Sequence, residues 1–473
     1  MKLFPKPASK VILLMALACG CSLSTFAAEV DKGIVDPKKQ SAQMVQEGLN
    51  YLILEQNKKA EELFIRAKSI DPYSEQAYNF LGLLYLQEGF NEKAESMLKQ
   101  AISIEPMYPE ALRNLGKLCL KEDRFKEACV YLKKTLSIDE KQPYTWYLLG
   151  MAQYFSGQNE EAIKSYETAF AMEPNLPVEA RYNLGVAYHE SSRYMDAVRC
   201  YEDVLKLEPQ HINALNNLGL VYSILGERNR AVEVFKQVLA LDEDNVKARI
   251  NLGNVYLSTK DLVEAEKIYR SAISLDESDV SPRLNLGVVY YEKGEFEKAR
   301  QEWEKLLEDE PNNVRVLSVM GAAYLERKDY VQAIKVFRQM NKLMPENGSV
   351  ANTLGYLLTE QNSELNFASN LIETAIKQDK TNRATYFDSL AWVHYKQGDY
   401  KKAYNIQNKA IKILKLAHEP ISSDIYYHMG KIQIELKNSI AAKKNFEEAI
   451  KSNTDADIVK LASESLSLIS NSN

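Results

Sequence analysis

Along most of the chain, apolar residues recur at three- and four-residue steps over two successive runs, and a short polar stretch such as Ser191-Ser192-Arg193 or Glu227-Arg228-Asn229 separates the runs. That spacing places the apolar side chains on one stripe of a helix, so each pair of runs predicts two helices joined by a tight turn. From residue 177 to 312 the same phrase is written four times without an insertion. Asn183-Leu184-Gly185, Asn217-Leu218-Gly219, Asn251-Leu252-Gly253 and Asn285-Leu286-Gly287 follow one another at intervals of 34 residues. Three positions after each Gly stands a Tyr (Tyr188, Tyr222, Tyr256, Tyr290), and twelve after it an Ala (Ala197, Ala231, Ala265, Ala299). Four further on comes an aromatic: Tyr201, Phe235, Tyr269, Trp303. A fixed period of this length marks a solenoid, because one hairpin cannot bury its own apolar face and must stack on its neighbours.

The residue types fit that reading. The Gly and the later Ala are expected where the paired helices cross most closely, with the large aromatics filling the space beside the crossing. The pattern resembles the tetratricopeptide repeat: a large residue at position 4, Leu-Gly at 7 and 8, Tyr at 11, Ala at 20, an aromatic at 24, a small residue at 27 and Pro at 32. The resemblance implies an all-α fold, a right-handed α-solenoid of about twelve helical hairpins. It covers residues 41–455 as one continuous array, from a first repeat with Gly48, Tyr51, Ala60 and Phe64 to a twelfth with Gly430, Ala442 and Phe446. Residues 456–473 are expected to supply a capping helix and tail. An extra residue near Pro174-Asn175-Leu176-Pro177, another in the tenth turn and a longer connection through Pro420 interrupt the period.

Residues 1–20 read as a signal peptide, with Lys2, Lys6 and Lys10 before an uncharged run too short to span a bilayer. Leu17-Ala18-Cys19-Gly20-Cys21 resembles the bacterial lipobox, which implies lipidation of Cys21, or alternatively of Cys19. Ordinary cleavage after Ala27 is the other reading. Residues 21–40 are expected to form a polar linker.

Composition narrows the function. Loss of residues 1–20 removes three Lys and no acid, which takes the formal charge from −6 to −9. An acidic body without basic runs argues against nucleic acid or anionic lipid as main partner, so contact with a membrane is expected through the anchor alone. Cys119, Cys129 and Cys200 make no disulfide framework, although a Cys119 to Cys129 bridge across one hairpin is open. Neither a phosphate-binding loop nor a nucleophile elbow nor a zinc motif is present, and the five His lie in different repeats without ligand spacing. No catalytic residue, metal or cofactor is therefore expected.

What remains is the groove that the resemblance assigns to the first helix of each hairpin, at positions 2, 5, 6, 9, 12 and 13. Position 6 carries a column of amides, Asn183, Asn217, Asn251 and Asn285, with Asn114 further up; an amide both donates and accepts, which suits an extended peptide backbone. Positions in repeats 3 to 5 carry Arg113, Lys117 and Lys121, then Tyr144, Tyr147, Met151, Tyr154 and Phe155, then Tyr182, the residue types of binding hot spots. The expectation is a non-enzymatic scaffold or assembly factor, exported to the periplasm and held at the outer membrane of a diderm bacterium, binding the protein partners of an envelope complex. Lipid-anchored members of the resembling family act in assembly of pili and secretins and in exopolysaccharide export. A polysaccharide- or cell-wall-associated scaffold that recruits an envelope enzyme is the alternative, since an aromatic groove also suits sugars.

Overall fold

The computed structural model describes residues 36–471, with side chains to residue 469. Its 25 helices follow one another as twelve consecutive pairs and one last helix, and the described residues contain no strand. This is the all-α solenoid class that the period implies. The chain divides into two compact units, one ending at Val255 and one beginning at Tyr256, where a single array was expected.

Hairpins 1 to 6 of the first unit run from Pro37–Ile53 with Asn57–Ile70 to Ile212–Ile224 with Arg228–Leu241. Here the structure corrects the linker boundary: the first helix begins at Pro37, not after residue 40. The Asp36 side chain accepts from the Lys38 amide and Pro37 occupies the first turn, where its missing N–H is no loss. Each of these first helices packs on its own second helix, and consecutive first helices from Pro37–Ile53 to Ile212–Ile224 touch one another.

The helix crossing differs in detail from the expectation. Gly219 is covered by the ring of Phe235 rather than by Ala231, and a Cβ on Gly219 would lie 2.8 Å from Phe235 Cε1. Gly150 and Gly185 sit under Tyr166 and Tyr201 in the same way, and in the second unit Gly287 sits under Trp303. Position 8 is therefore empty so that the position-24 ring can lie flat across the helix, which leaves Tyr166, Tyr201, Phe235 and Trp303 fully buried.

The Tyr at position 11 joins neighbouring hairpins. Tyr222 Oη donates to Glu202 Oε1 of the preceding hairpin at 2.8 Å, and Tyr188 Oη does the same to Glu167 Oε1 at 2.7 Å. Arg230 and Arg193 cover the two rings at 4.0 and 4.4 Å from their centroids. Each clasp thus sets a phenol and a cation against one carboxylate across the stacking interface.

The second unit includes hairpins 8 to 12, from Val280–Glu292 with Phe296–Asp309 to Ser423–Glu435 with Ser439–Ser452. Its helix Tyr400–Ala417 absorbs part of the expected longer connection as an extra turn, stopped by His418 in the left-handed conformation. The last helix, Ala456–Asn471, buries Ala462 against Ala442, Phe446 and Ala449 and so covers the final apolar face, as the capping role requires. Most hairpin turns contain one residue at positive φ, Gly294 at 78° and Lys437 at 58° among them. No helix among the described residues is long and apolar enough to cross a membrane.

Candidate partner-binding face

The first helices of hairpins 3, 4 and 5 are Pro109–Lys121, Pro143–Phe155 and Val178–Glu190. Pro109 and Pro143 open two of them, a position where fixed φ favours helix entry. Their side-by-side packing brings the residues selected from the sequence into contact. Arg113 Nη1 donates to Gln142 Oε1 at 3.1 Å, and Lys117 Nζ lies 4.7 Å from the centroid of the Tyr144 ring. Tyr144 stands 5.8 Å from Tyr147, which leans on Tyr166 at 6.0 Å. Tyr154 meets Phe155 edge-on at 5.2 Å, and Phe155 stacks on Phe125 of the preceding hairpin at 5.0 Å.

Exposure sorts this set. Arg113, Lys117, Tyr144, Tyr154, Tyr182 and Asn183 are half-buried and keep one face toward solvent. Tyr147 is only 8% exposed and Met151 only 3%, so these two belong to the packing beneath the face and not to its surface. The physical reason is that position 5 of hairpin 4 abuts the next first helix, where Asn183 hydrogen-bonds the Tyr147 hydroxyl. Lys121 points elsewhere, donating to the Leu86 carbonyl oxygen at 3.3 Å and to Asn91 Oδ1 at 3.1 Å.

The amide column is also partly used up within the fold. Asn217 Nδ2 donates to Tyr182 Oη at 3.1 Å and to Tyr201 Oη at 3.4 Å. Asn114 Nδ2 donates to Asn79 Oδ1 at 2.9 Å, and both residues are buried, so that rung is closed to any ligand. Asn251, in the first unit, and Asn285, in the second, are half-buried. In the second unit Asn285 hydrogen-bonds the phenol of Tyr269. The column therefore staples consecutive hairpins.

Electrostatics single out Lys117. Burial pushes its ammonium down to about 7, and Arg113 one helical turn away pushes in the same direction. Burial also raises the phenols of Tyr144, Tyr154 and Tyr182, which therefore stay neutral at physiological pH. The three cysteines outside the first 35 residues are free thiols, not a bridge; burial raises Cys119 to about 11 and Cys200 to about 12, which leaves them protonated. Cys19 and Cys21 lie outside the described residues.

One constellation in the second unit was not foreseen. His428 Nδ1 lies 3.0 Å from Asp388 Oδ2, both side chains are buried, and Gln407 Nε2 donates to Asp388 Oδ1 and to the Ile425 carbonyl oxygen. Trp392 stacks on His428 at 4.1 Å and on Tyr395 at 4.5 Å, while its Nε1 donates to Glu360 Oε1 at 2.6 Å. The signal available was the departure of this repeat from the phrase, with Ala391 in the place of Gly and an acid at position 5. Among the described residues no group of three or more His, Cys, Asp or Glu could hold a metal ion.

Comparison with known proteins agrees with this architecture. The family described as cytochrome c-type biogenesis protein H TPR domain matches residues 239–351. Tetratricopeptide-repeat families match residues 85–154, 154–192, 176–244, 384–413 and 423–455. No curated protein matches the chain. Among solved structures, YrrB, described as a TPR protein with an unusual peptide-binding site, is similar at 20% identity over 39% of this chain and 95% of its own, with a TM-score of 0.37. MamA is 27% identical over 37% of this chain and 94% of its own, with a TM-score of 0.34. PilF of Pseudomonas aeruginosa is 20% identical over 44% and 95%, with a TM-score of 0.38. With family matches running unbroken from residue 85 to 351 and resuming over both of the last two hairpins, the chain is a tetratricopeptide-repeat protein.

Proposed function

We propose that the protein is a non-catalytic interaction scaffold of the bacterial cell envelope. In this reading it is exported, anchored in the outer membrane through a lipidated Cys21 (or Cys19), and holds a partner protein of an envelope complex on the first-helix face of hairpins 3 to 5. The observation that carries the reading is the set of half-buried Tyr144, Tyr154 and Tyr182, with Lys117 over the Tyr144 ring and Arg113 one turn before it. Rigid aromatics that keep one face open, with cations next to them, bury large areas on binding at little entropic cost. Partner recovery from membranes, with Tyr144 and Tyr182 truncated, tests the reading. The polysaccharide alternative gains less from these residues, because the cations beside the rings favour an anionic or peptide ligand over a neutral sugar.

A further inference from the structure

We propose that the Arg113–Lys117 turn selects an acidic segment of the partner protein, docking a side-chain carboxylate between the two cations while an adjoining apolar side chain rests on Tyr144. The inference rests on the reading that this face is the partner site, and it adds the chemistry of what is bound.

Three observations carry it. Arg113 and Lys117 stand one turn apart on the same face of Pro109–Lys121, so two like charges are held together in a half-buried position, an arrangement that destabilises a helix when nothing offsets it. Neither has a carboxylate in ion-pair distance among the described residues: Arg113 reaches the neutral Gln142, and Lys117 lies over the Tyr144 ring. Other half-buried cations of the same unit are neutralised. Arg124 is surrounded by Glu95, Glu122 and Glu127 at 2.7 to 2.9 Å, and Arg181 pairs with Asp203 at 3.2 Å. A carboxylate from outside would offset the repulsion and accept from both sets of donors.

The ring geometry selects for protein. Tyr144 supports the ammonium with one part of its half-buried ring, and the rest of that ring gives an apolar shelf beside the charged pair. A residue flanking the acid can use that shelf, and a bare phosphate cannot. The net charge of −6 on the whole chain means that a generally acidic surface is repelled at long range, so selection must be local to this turn.

The charge state of Lys117 supplies a second readout. With its ammonium held down to about 7 by burial and by Arg113, the free site is only partly protonated at neutral pH, and a bound carboxylate holds the proton on. Burial keeps the Tyr144 phenol neutral over the same range. Affinity for an acid is therefore greatest below pH 7 and falls as the pH rises to 9.

The test uses the full chain and three labelled ten-residue peptides blocked at both ends, alternating Phe with Glu, with Gln or with Lys. The expected result is at least about tenfold tighter binding of the Glu peptide than of the Gln peptide at pH 6.5, a preference that shrinks toward pH 9 and is lost in Lys117→Met. Lys117→Met should keep the melting temperature of the wild type or exceed it, since a like-charge contact is removed. Equal binding of the Glu and Gln peptides, no binding of any of the three, or an undiminished preference in Lys117→Met overturns the proposal. So does displacement of the Glu peptide by sub-millimolar inorganic phosphate, which would assign the site to phosphate. Recovery of the native partner separates this inference from the reading beneath it. If Tyr144→Ala with Tyr182→Ala loses the partner and Lys117→Met keeps it, the acidic segment is wrong and the face is right; if both keep it, both are wrong.

Discussion

Asn217 Nδ2 donates to Tyr182 Oη across 3.1 Å and so ties the first helix of hairpin 6 to that of hairpin 5. The contact makes one residue of the amide column a support for one residue of the aromatic row. Asn217→Ala and Tyr182→Phe should each cost about 1 kcal/mol, and a double-mutant cycle should show a coupling of the same order. Native-state hydrogen exchange in Ile212–Ile224 reads the cost, since a solenoid opens locally and not as one cooperative block. Strict additivity of the two substitutions would show that the contact contributes nothing.

The hairpin turns of the second unit offer a backbone test. Lys437 is exposed and held at φ 58°, where a Cβ costs roughly 1–2 kcal/mol, while Gly294 occupies the same turn position in hairpin 8 without that cost. Lys437→Gly should stabilise the unit by about 0.5–1 kcal/mol after allowing for the greater freedom of Gly in the unfolded chain, and Gly294→Ala should destabilise it by a similar amount. Chemical denaturation measures both. Loss of stability in Lys437→Gly would mean that the turn is not left-handed in solution.

The buried His428 adds a pH dependence. Burial pushes its imidazolium down, but the charge and hydrogen bond of Asp388, helped by Asp424 and Glu360, outweigh burial and raise its pKa above the ordinary value. A group raised in the folded state contributes stability that is fully present below its unfolded pKa, about 6.5, and lost as the pH rises through the folded pKa. Stability of hairpins 11 and 12 should thus decline above about pH 6.5, and His428→Gln should flatten that slope while lowering stability at pH 6. Tryptophan fluorescence reports on the region directly because Trp392 stacks on His428. An identical slope in wild type and His428→Gln would contradict the assignment.

How much of this was legible in the sequence follows from which contacts are local to a hairpin. Gly219 and Phe235 pack within one repeat, so the phrase exposes them directly even though the partner of the Gly is the ring and not Ala231. Tyr147 was read as a surface anchor because its position number places it on the face, yet its burial depends on Asn183 in the next hairpin. Asp388 and His428 lie 40 residues apart in repeats that have drifted from the phrase, and no period connects them. The start of the first helix was missed although its signal is local: Asp36-Pro37, assigned to the linker, is a cap followed by a first-turn proline.

Anchoring is tested at the other end of the chain. Gly20-Cys21-Ser22 follows a short apolar run, and several acyl chains on one Cys hold a protein to a bilayer far more firmly than one. Cells fed a fatty-acid probe should label the wild type and not Cys21→Ser. Label that persists there and vanishes in Cys19→Ser would move the anchor to Cys19, and an unlabelled wild type would mean ordinary cleavage.

The central claim is that the half-buried aromatics of hairpins 3 to 5 hold the partner. Truncating a desolvated aromatic hot spot costs about 2 kcal/mol or more in binding, whereas surface changes outside a site stay within about 0.5 kcal/mol. The most direct measurement is partner recovery from membranes by Tyr144→Ala with Tyr182→Ala, with circular dichroism and melting temperature recorded on the same preparation. Recovery should disappear while the helical signal remains intact and the melting temperature falls by no more than the lost Asn217 contact and the lost ring contacts with Tyr147, Tyr201 and His211 require. A variant that stays folded and still recovers the partner in full would place the binding site elsewhere on the molecule.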